Sequence, residues 1–235
     1  ARVLRINVPI SKEQLTEVCK EFVRRNNMSN GHFRIIVTPG QGYFGWIPKG
    51  NPVVAVFGEP VKGLFEEGSK KGIRLKTSAY RRNPPECLDP RAKTLNYVNN
   101  LLHNLDARAA GADDALVLDI RGFVAELSGA NFFIVKDNAI KTPTKYWILE
   151  GVTRATVMEL AEKEGLPVSE EDITLYDVYN ADEAFTSGSG YEIVPIVEVD
   201  ARKIGNGELG PVTKKMQQLY RELTHSEGPW FTKAL

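Results

Sequence analysis

The chain has 235 residues, 42% of them hydrophobic, with 30 lysines and arginines against 30 aspartates and glutamates. That length suits one large domain or two small ones with a real buried core, and the charge balance gives no electrostatic ground for nucleic acid as a partner. Two cysteines and three scattered histidines make neither a disulfide framework nor a metal site, no apolar run reaches membrane-spanning length, and no signal peptide is visible, so the expected compartment is the cytoplasm.

In chain order, SKEQLTEVCKEFVRRNN (11–27) reads as a helix. Leu15, Val18, Cys19 and Phe22 recur at helical spacing, and Ser11 is placed to cap the start. HFRIIVTPG reads as a strand ended by a Pro-Gly turn, and NPVVAVFGEP and IRLKTSAYRR as two more strands. The basic pairs Lys70-Lys71 and Arg81-Arg82 read as solvated surface. RRNPPECLDPRAK (81–93) carries three prolines, too many for a helix interior or a central strand, and is the candidate linker.

Beyond it the periodicity turns helical. Val98, Leu101, Leu102 and Leu105 fall on one face. The run from Ala115 to Pro143 reads as an antiparallel meander, interrupted at Arg121-Gly122 and Asp137-Asn138. GVTRATVMELAEKEG is a helix ended by Gly165. The segment 173–200 adds strands around a short helical turn, RKIGNGELG reads as a hairpin, and PVTKKMQQLYRELT is a closing helix with Pro211 in its first turn. The expected fold class is α+β with a largely antiparallel sheet in the second part.

Several residues could carry chemistry. Lys93 stands near a helix start, where the dipole and burial both favour a neutral, nucleophilic amine. Tyr97, four residues on, would share its face if the segment were helical. The plainer reading of Lys93 is a surface charge. Gly151–Arg154 opens a helix whose free N–H groups and Thr153 hydroxyl suit a phosphate, or Thr153 simply caps it. TSGSG (186–190) follows a strand directly and can form an anion-binding nest or merely a tight turn. Glu126 lies on an apolar strand. Directed inward it needs a partner, such as a protonated ring nitrogen; otherwise it faces water from an edge. An amine, a phenol, an inward acid and two phosphate cradles together match what pyridoxal phosphate asks of a protein.

The segments KTLNYVNNLL, GFVAELSGANFFIV, LEGVTRATVMELA and TSGSGYEIVPIVEVD follow one another in the order and spacing of class IV (fold-type IV) pyridoxal phosphate-dependent aminotransferases, and within them the chain most resembles the branched-chain amino acid aminotransferases. The resemblance covers essentially the whole chain. It implies a small domain over 1–82, an interdomain linker over 83–92 and a large cofactor-binding domain over 93–235, with a small domain that begins about fifty residues before Ala1 on typical domain size. That preceding segment would carry an arginine for the cofactor phosphate.

The resemblance also implies roles. Lys93 would bind the cofactor covalently and shuttle the proton. Tyr97 would hold the ring oxygen and Glu126 the ring nitrogen. Val152, Thr153 and Ser189 would hold the phosphate. Arg34, Ser189 and Gly190 would face the substrate, and Asn131 and Glu192 would support the site. It implies a homodimer or higher homo-oligomer acting on small amino and 2-oxo acids, with no metal.

The expected reaction moves an amino group between a branched-chain L-amino acid and 2-oxoglutarate. The alternatives are D-amino acid or (R)-amine transamination, an aminodeoxychorismate lyase, or a cofactor-free binding protein on the same fold. His32 replaces a usual tyrosine and Leu127 a frequent glycine, which bears on substrate choice.

Overall fold

The computed structural model describes residues 1–28, 31–42, 50–60 and 71–226. Lys70 and the chain beyond Ser226 lie outside the described residues, as does that part of the domain expected over 93–235. The chain forms two compact units, and among the described residues the first ends at Pro60 and the second starts at Lys71.

In the first unit, helix α1 (Lys12–Arg25) is capped by Ser11, whose hydroxyl accepts from Gln14 N while the Gln14 side chain accepts from Ser11 N. Cys19 and Val23 make its buried line, and Val18, expected on that face, stays exposed. Strands β1 (His32–Thr38) and β2 (Val53–Glu59) pair antiparallel, with Ile35 opposite Val56. Phe22 of α1 meets Phe33 of β1 edge to face.

The second unit begins with β3 (Ile73–Arg81), the one-turn helix α2 (Pro85–Leu88) and helix α3 (Val98–Ala109). Strands β4 (Asp114–Leu118), β5 (Val124–Leu127), β6 (Asn131–Lys136) and β7 (Ala139–Pro143) follow. Then come a 3-10 turn (Lys145–Trp147), helix α4 (Val152–Lys163), β8 (Val168–Glu171) and helix α5 (Leu175–Tyr179). Strands β9 (Glu183–Gly188), β10 (Glu192–Val199) and β11 (Arg202–Lys203) and helix α6 (Pro211–Ser226) complete it.

Among the described residues the strands form one sheet in the order β5-β4-β3-β10-β9-β6-β7-β8, with β11 on β10. The pairings are mostly antiparallel, but β3 runs parallel to both β4 and β10, and β7 parallel to β8.

This differs from the sequence reading in three places. The meander expected over 115–143 is interrupted: β4–β5 and β6–β7 pair, but β5 and β6 stand far apart in the strand order. Strand β3, expected in the small domain, is central to the larger unit's sheet, because its backbone pairs on both sides. The hairpin expected within 202–210 turns earlier, at Asp200-Ala201. Both residues have positive φ, the conformation of a two-residue hairpin turn, and Asp200 is held by Lys76, Thr77 and Tyr179.

The sheet curls around its main core. Leu127 of β5 and Phe132 and Ile134 of β6 share one apolar cluster with Leu75, Leu116, Ala184 and Ile196, although β5 and β6 are separated in the strand order. Val124 N donates to Ile173 O just past β8, 2.8 Å away, so the two ends of the sheet nearly close. On the other face, Phe133 and Phe185 stack at 4.7 Å and pack with Val157 and Ala161 of α4 and Val212 and Met216 of α6. Each of the larger of these buried side chains stabilises the fold by roughly 1.5–3 kcal/mol. Helix α6 starts on the buried Glu183 carboxylate, which accepts from Val212 N and Thr213 N, so a distant acid satisfies its free amides.

Candidate active site

Lys93 lies on an irregular exposed segment between α2 and α3. The expected helical spacing of Lys93 and Tyr97 does not occur: α3 starts at Val98, Tyr97 is its N-cap residue, and Leu95 has φ +67°. A left-handed residue turns the chain there, and the turn still brings the two together, with Lys93 Nζ 5.8 Å from the Tyr97 ring centre. Tyr97 is half-exposed.

Glu126 points inward, 4% exposed. Its Oε1 lies 2.7 Å from an Arg82 guanidinium nitrogen, and its Oε2 accepts from Asn131 Nδ2 and Leu149 N, each at 3.2 Å. Burial pushes the carboxyl up to about 7, against the pull of Arg82, the Leu149 amide, Lys93 and Arg154. Lys93 therefore lies within electrostatic reach of Glu126.

Asn131 ties the remaining parts to this acid. Its Nδ2 also donates to Leu149 O at 2.9 Å, and a Cβ on Gly151 would sit 2.1 Å from its Oδ1. Gly151 is the N-cap of α4 and has no side chain to cap with, so Thr153, which alone could have been the cap, lies buried inside the first turn. The early amides of α4, from Val152 on, are free of side-chain caps. Arg154, 2% exposed, anchors that turn to β7 and β8 through Thr142 Oγ1, Pro143 O and Glu170. Asn131 also pairs across β6–β9 with Ser187, which leads into the exposed Ser189-Gly190 turn between β9 and β10. TSGSG is thus a strand-to-strand turn, with Tyr191 N donating to Gly188 O. Glu192 opens β10 at φ +54°, with Arg221 3.7 Å away.

The structure thus brings Lys93, Tyr97, Glu126, the α4 start with Val152 and Thr153, and the 187–190 turn into one unit. Arg34 lies exposed on β1 of the first unit, opposite Phe57, and His32 lies 3.4 Å from Glu59 there. Sequence reasoning missed Arg82. Its pair with Arg81 looked like solvated surface, and an uninterrupted strand alternation that buries Ile73 and Leu75 would turn Arg81 inward. The β3–β4 register shifts between Thr77 and Arg81, and the bulge buries Arg82 instead. Among the described residues no group of three or more His, Cys, Asp or Glu could hold a metal, and no helix is long and apolar enough to cross a membrane.

One unit thus holds a mixed sheet curled round a core, a lysine, a buried acid and an uncapped helix start. The family model for class IV amino-transferases matches residues 1–199, and the chain belongs to that family. Among individual proteins, it is similar to the branched-chain-amino-acid aminotransferase of Pseudomonas aeruginosa, 38% identical over 99% of this chain and 78% of that one.

Two solved structures are similar as well. One is the T.th. branched-chain amino acid aminotransferase with pyridoxamine 5'-phosphate, with TM-score 0.89 and 38% identity over 94% of this chain and 74% of that one. The same T.th. enzyme is known in complex with N-(5'-phosphopyridoxyl)-L-glutamate and with 4-methylvaleric acid. The other is the Escherichia coli branched-chain amino acid aminotransferase, with TM-score 0.92 and 32% identity over 98% of this chain and 78% of that one.

Proposed function

We propose that this aminotransferase moves the amino group of a branched-chain L-amino acid onto 2-oxoglutarate, using pyridoxal phosphate, the cofactor of its family. The observation that carries the reading is the buried Glu126 carboxylate. Three of its roughly four acceptor positions are taken by Arg82, Asn131 and Leu149. One remains for a ring N–H, so the residues present fit the cofactor. The uncapped α4 start suits its phosphate.

When bound, pyridoxal phosphate supplies an electron sink for the bond broken at the substrate α-carbon. Lys93 Nζ would hold the cofactor at its aldehyde carbon and would carry the substrate's α-proton. Glu126 holds the ring nitrogen's proton, and the Tyr97 hydroxyl donates to the ring oxygen. Val152 N, Thr153 N, the Thr153 hydroxyl and Ser189 bind the phosphate. The Ser189-Gly190 turn orients the substrate. Asn131 keeps Glu126 and the α4 start in register.

The branched-chain donor and the 2-oxoglutarate acceptor rest on similarity. The T.th. enzyme takes both 4-methylvaleric acid, a branched apolar acid, and a glutamate adduct of the cofactor. A homodimer is part of the proposal. Val98, Leu101 and Leu105, expected on the buried face of α3, are 70%, 54% and 54% exposed. The helix buries His103 and Ala107 instead, so an apolar stripe is left for a second copy. Borohydride reduction of the loaded protein is expected to fix the cofactor on Lys93. A donor panel of L-leucine, a D-amino acid and (R)-phenylethylamine, with 2-oxoglutarate, is expected to favour L-leucine. Label elsewhere than Lys93, or a preference for either other donor, would overturn the corresponding part.

A further inference from the structure

We propose that Arg82 is a positioning residue that keeps Glu126 ionised and aimed for the cofactor ring, an inference that rests on Glu126 being the ring-nitrogen partner. The two residues reach each other across a strand. Arg82 follows β3 directly, Glu126 lies on β5, and β4 runs between them. Adjacent strands are spaced about 4.8 Å apart, so only a long side chain makes the crossing. The backbone fixes both ends: Arg82 N donates to Leu118 O at 2.9 Å, and Leu118 pairs with Val124 on β5. Arg82 is 8% exposed and its guanidinium is always charged.

One observation and one general rule separate this pair from one that serves stability alone. Among the described residues Arg82 Nε has no hydrogen-bond partner, and a buried donor left unmade costs stability. A buried ion pair is in any case often no better for stability than apolar side chains of the same volume. What the pair does is set the charge of an acid. Glu126 faces Arg82 from the end of β3, Lys93 from the 93–97 segment, Arg154 from α4, Asn131 from β6 and the Leu149 amide. Arg82 is the partner in direct contact and the largest of the influences that favour the carboxylate. Even with all of them, burial leaves the carboxyl near 7. Removing Arg82 leaves burial less opposed and shifts the carboxyl further toward its neutral form, which cannot hold a protonated ring nitrogen by charge.

The test uses the full chain, with and without pyridoxal phosphate. The Glu126 carboxyl is followed through a 13C label and assigned by its loss in Glu126→Gln. Arg82→Met is expected to raise its titration midpoint in the cofactor-free chain by roughly one to three pH units. Arg82→Lys, which keeps the charge, is expected to return it most of the way. If Arg82→Met does not fold, Arg82→Gln makes the same comparison. A lower melting temperature with an unmoved carboxyl midpoint would make Arg82 merely structural and overturn the proposal. In the loaded protein, the 15N shift of a labelled cofactor ring tests the underlying reading separately. If Glu126→Gln leaves that shift unchanged, Glu126 is not the ring partner, whatever the carboxyl titration shows.

Discussion

Lys93 is exposed, as is the Tyr97 ring it faces, so replacing it removes an amine and little packing. Lys93→Ala is expected to abolish transamination while unfolding free energy stays within about 0.5 kcal/mol of the parent, checked by urea titration beside a single-turnover assay. Full activity in that variant would remove Lys93 from the mechanism. Glu126 and His103 are tied to folding instead, with opposite signs. His103 is buried against Ser78 and Asn99, and burial, helped by Arg82, holds it down to about 4 from its ordinary 6.5. The unfolded chain takes up a proton there first, so this group's contribution is complete above pH 6.5 and is lost as pH falls toward 4. Glu126 is raised from 4.5 to about 7, so the folded chain keeps its proton longer and this group favours folding as pH falls from 7 to 4.5. Each is on the order of 3 kcal/mol. They offset each other between pH 4.5 and 6.5. His103→Gln is expected to unmask the Glu126 slope, giving stability that rises as pH is lowered through that window. A flat profile in the variant would count against the raised Glu126.

At the scale of elements, the N-terminal end of α4 is built by packing around Asn131. Gly151 has an ordinary φ of −67°, so its need for glycine is steric and lies in the Asn131 amide that a Cβ would strike. Gly151→Ala is expected to push Asn131 off Glu126 and Leu149, to cost about 1–3 kcal/mol in thermal or urea unfolding, and to weaken pyridoxal phosphate binding measured by absorbance titration. Unchanged affinity with lowered stability would separate the α4 start from the phosphate. Several helix ends, the strand runs and the prolines were legible because capping, periodicity and φ restriction are local, whereas the helix start read near Lys93 came later, at Val98. The Ser11 cap, the Gly165 stop at φ +69° and Pro211 at the start of α6 follow from a few residues each. The strand order was not legible, because pairing of β3 with β10, more than a hundred residues on, leaves no local trace.

At the scale of the molecule, the α3 stripe is where pattern and burial part. Its spacing announces an apolar face, but this chain buries the opposite one. Sedimentation of the full chain is expected to give a mass twice that of one copy, and Leu101→Glu with Leu105→Glu to return it to one copy. A monomeric parent protein would overturn the dimer.

Four separate motifs, in order, were enough to identify the family, and they single out Lys93, Tyr97, Glu126, Thr153 and Ser189 as the residues to test, because side-chain chemistry and turn propensity are written residue by residue. What the tertiary structure decided was their environment. A register shift in β3 turned Arg82 inward, a curled sheet placed it across β4 from Glu126, and Asn131 joined that acid to the α4 start. Those outcomes depend on which strands pair and how deeply a charge is buried. Both are properties of contacts distant in sequence, which no local stretch encodes.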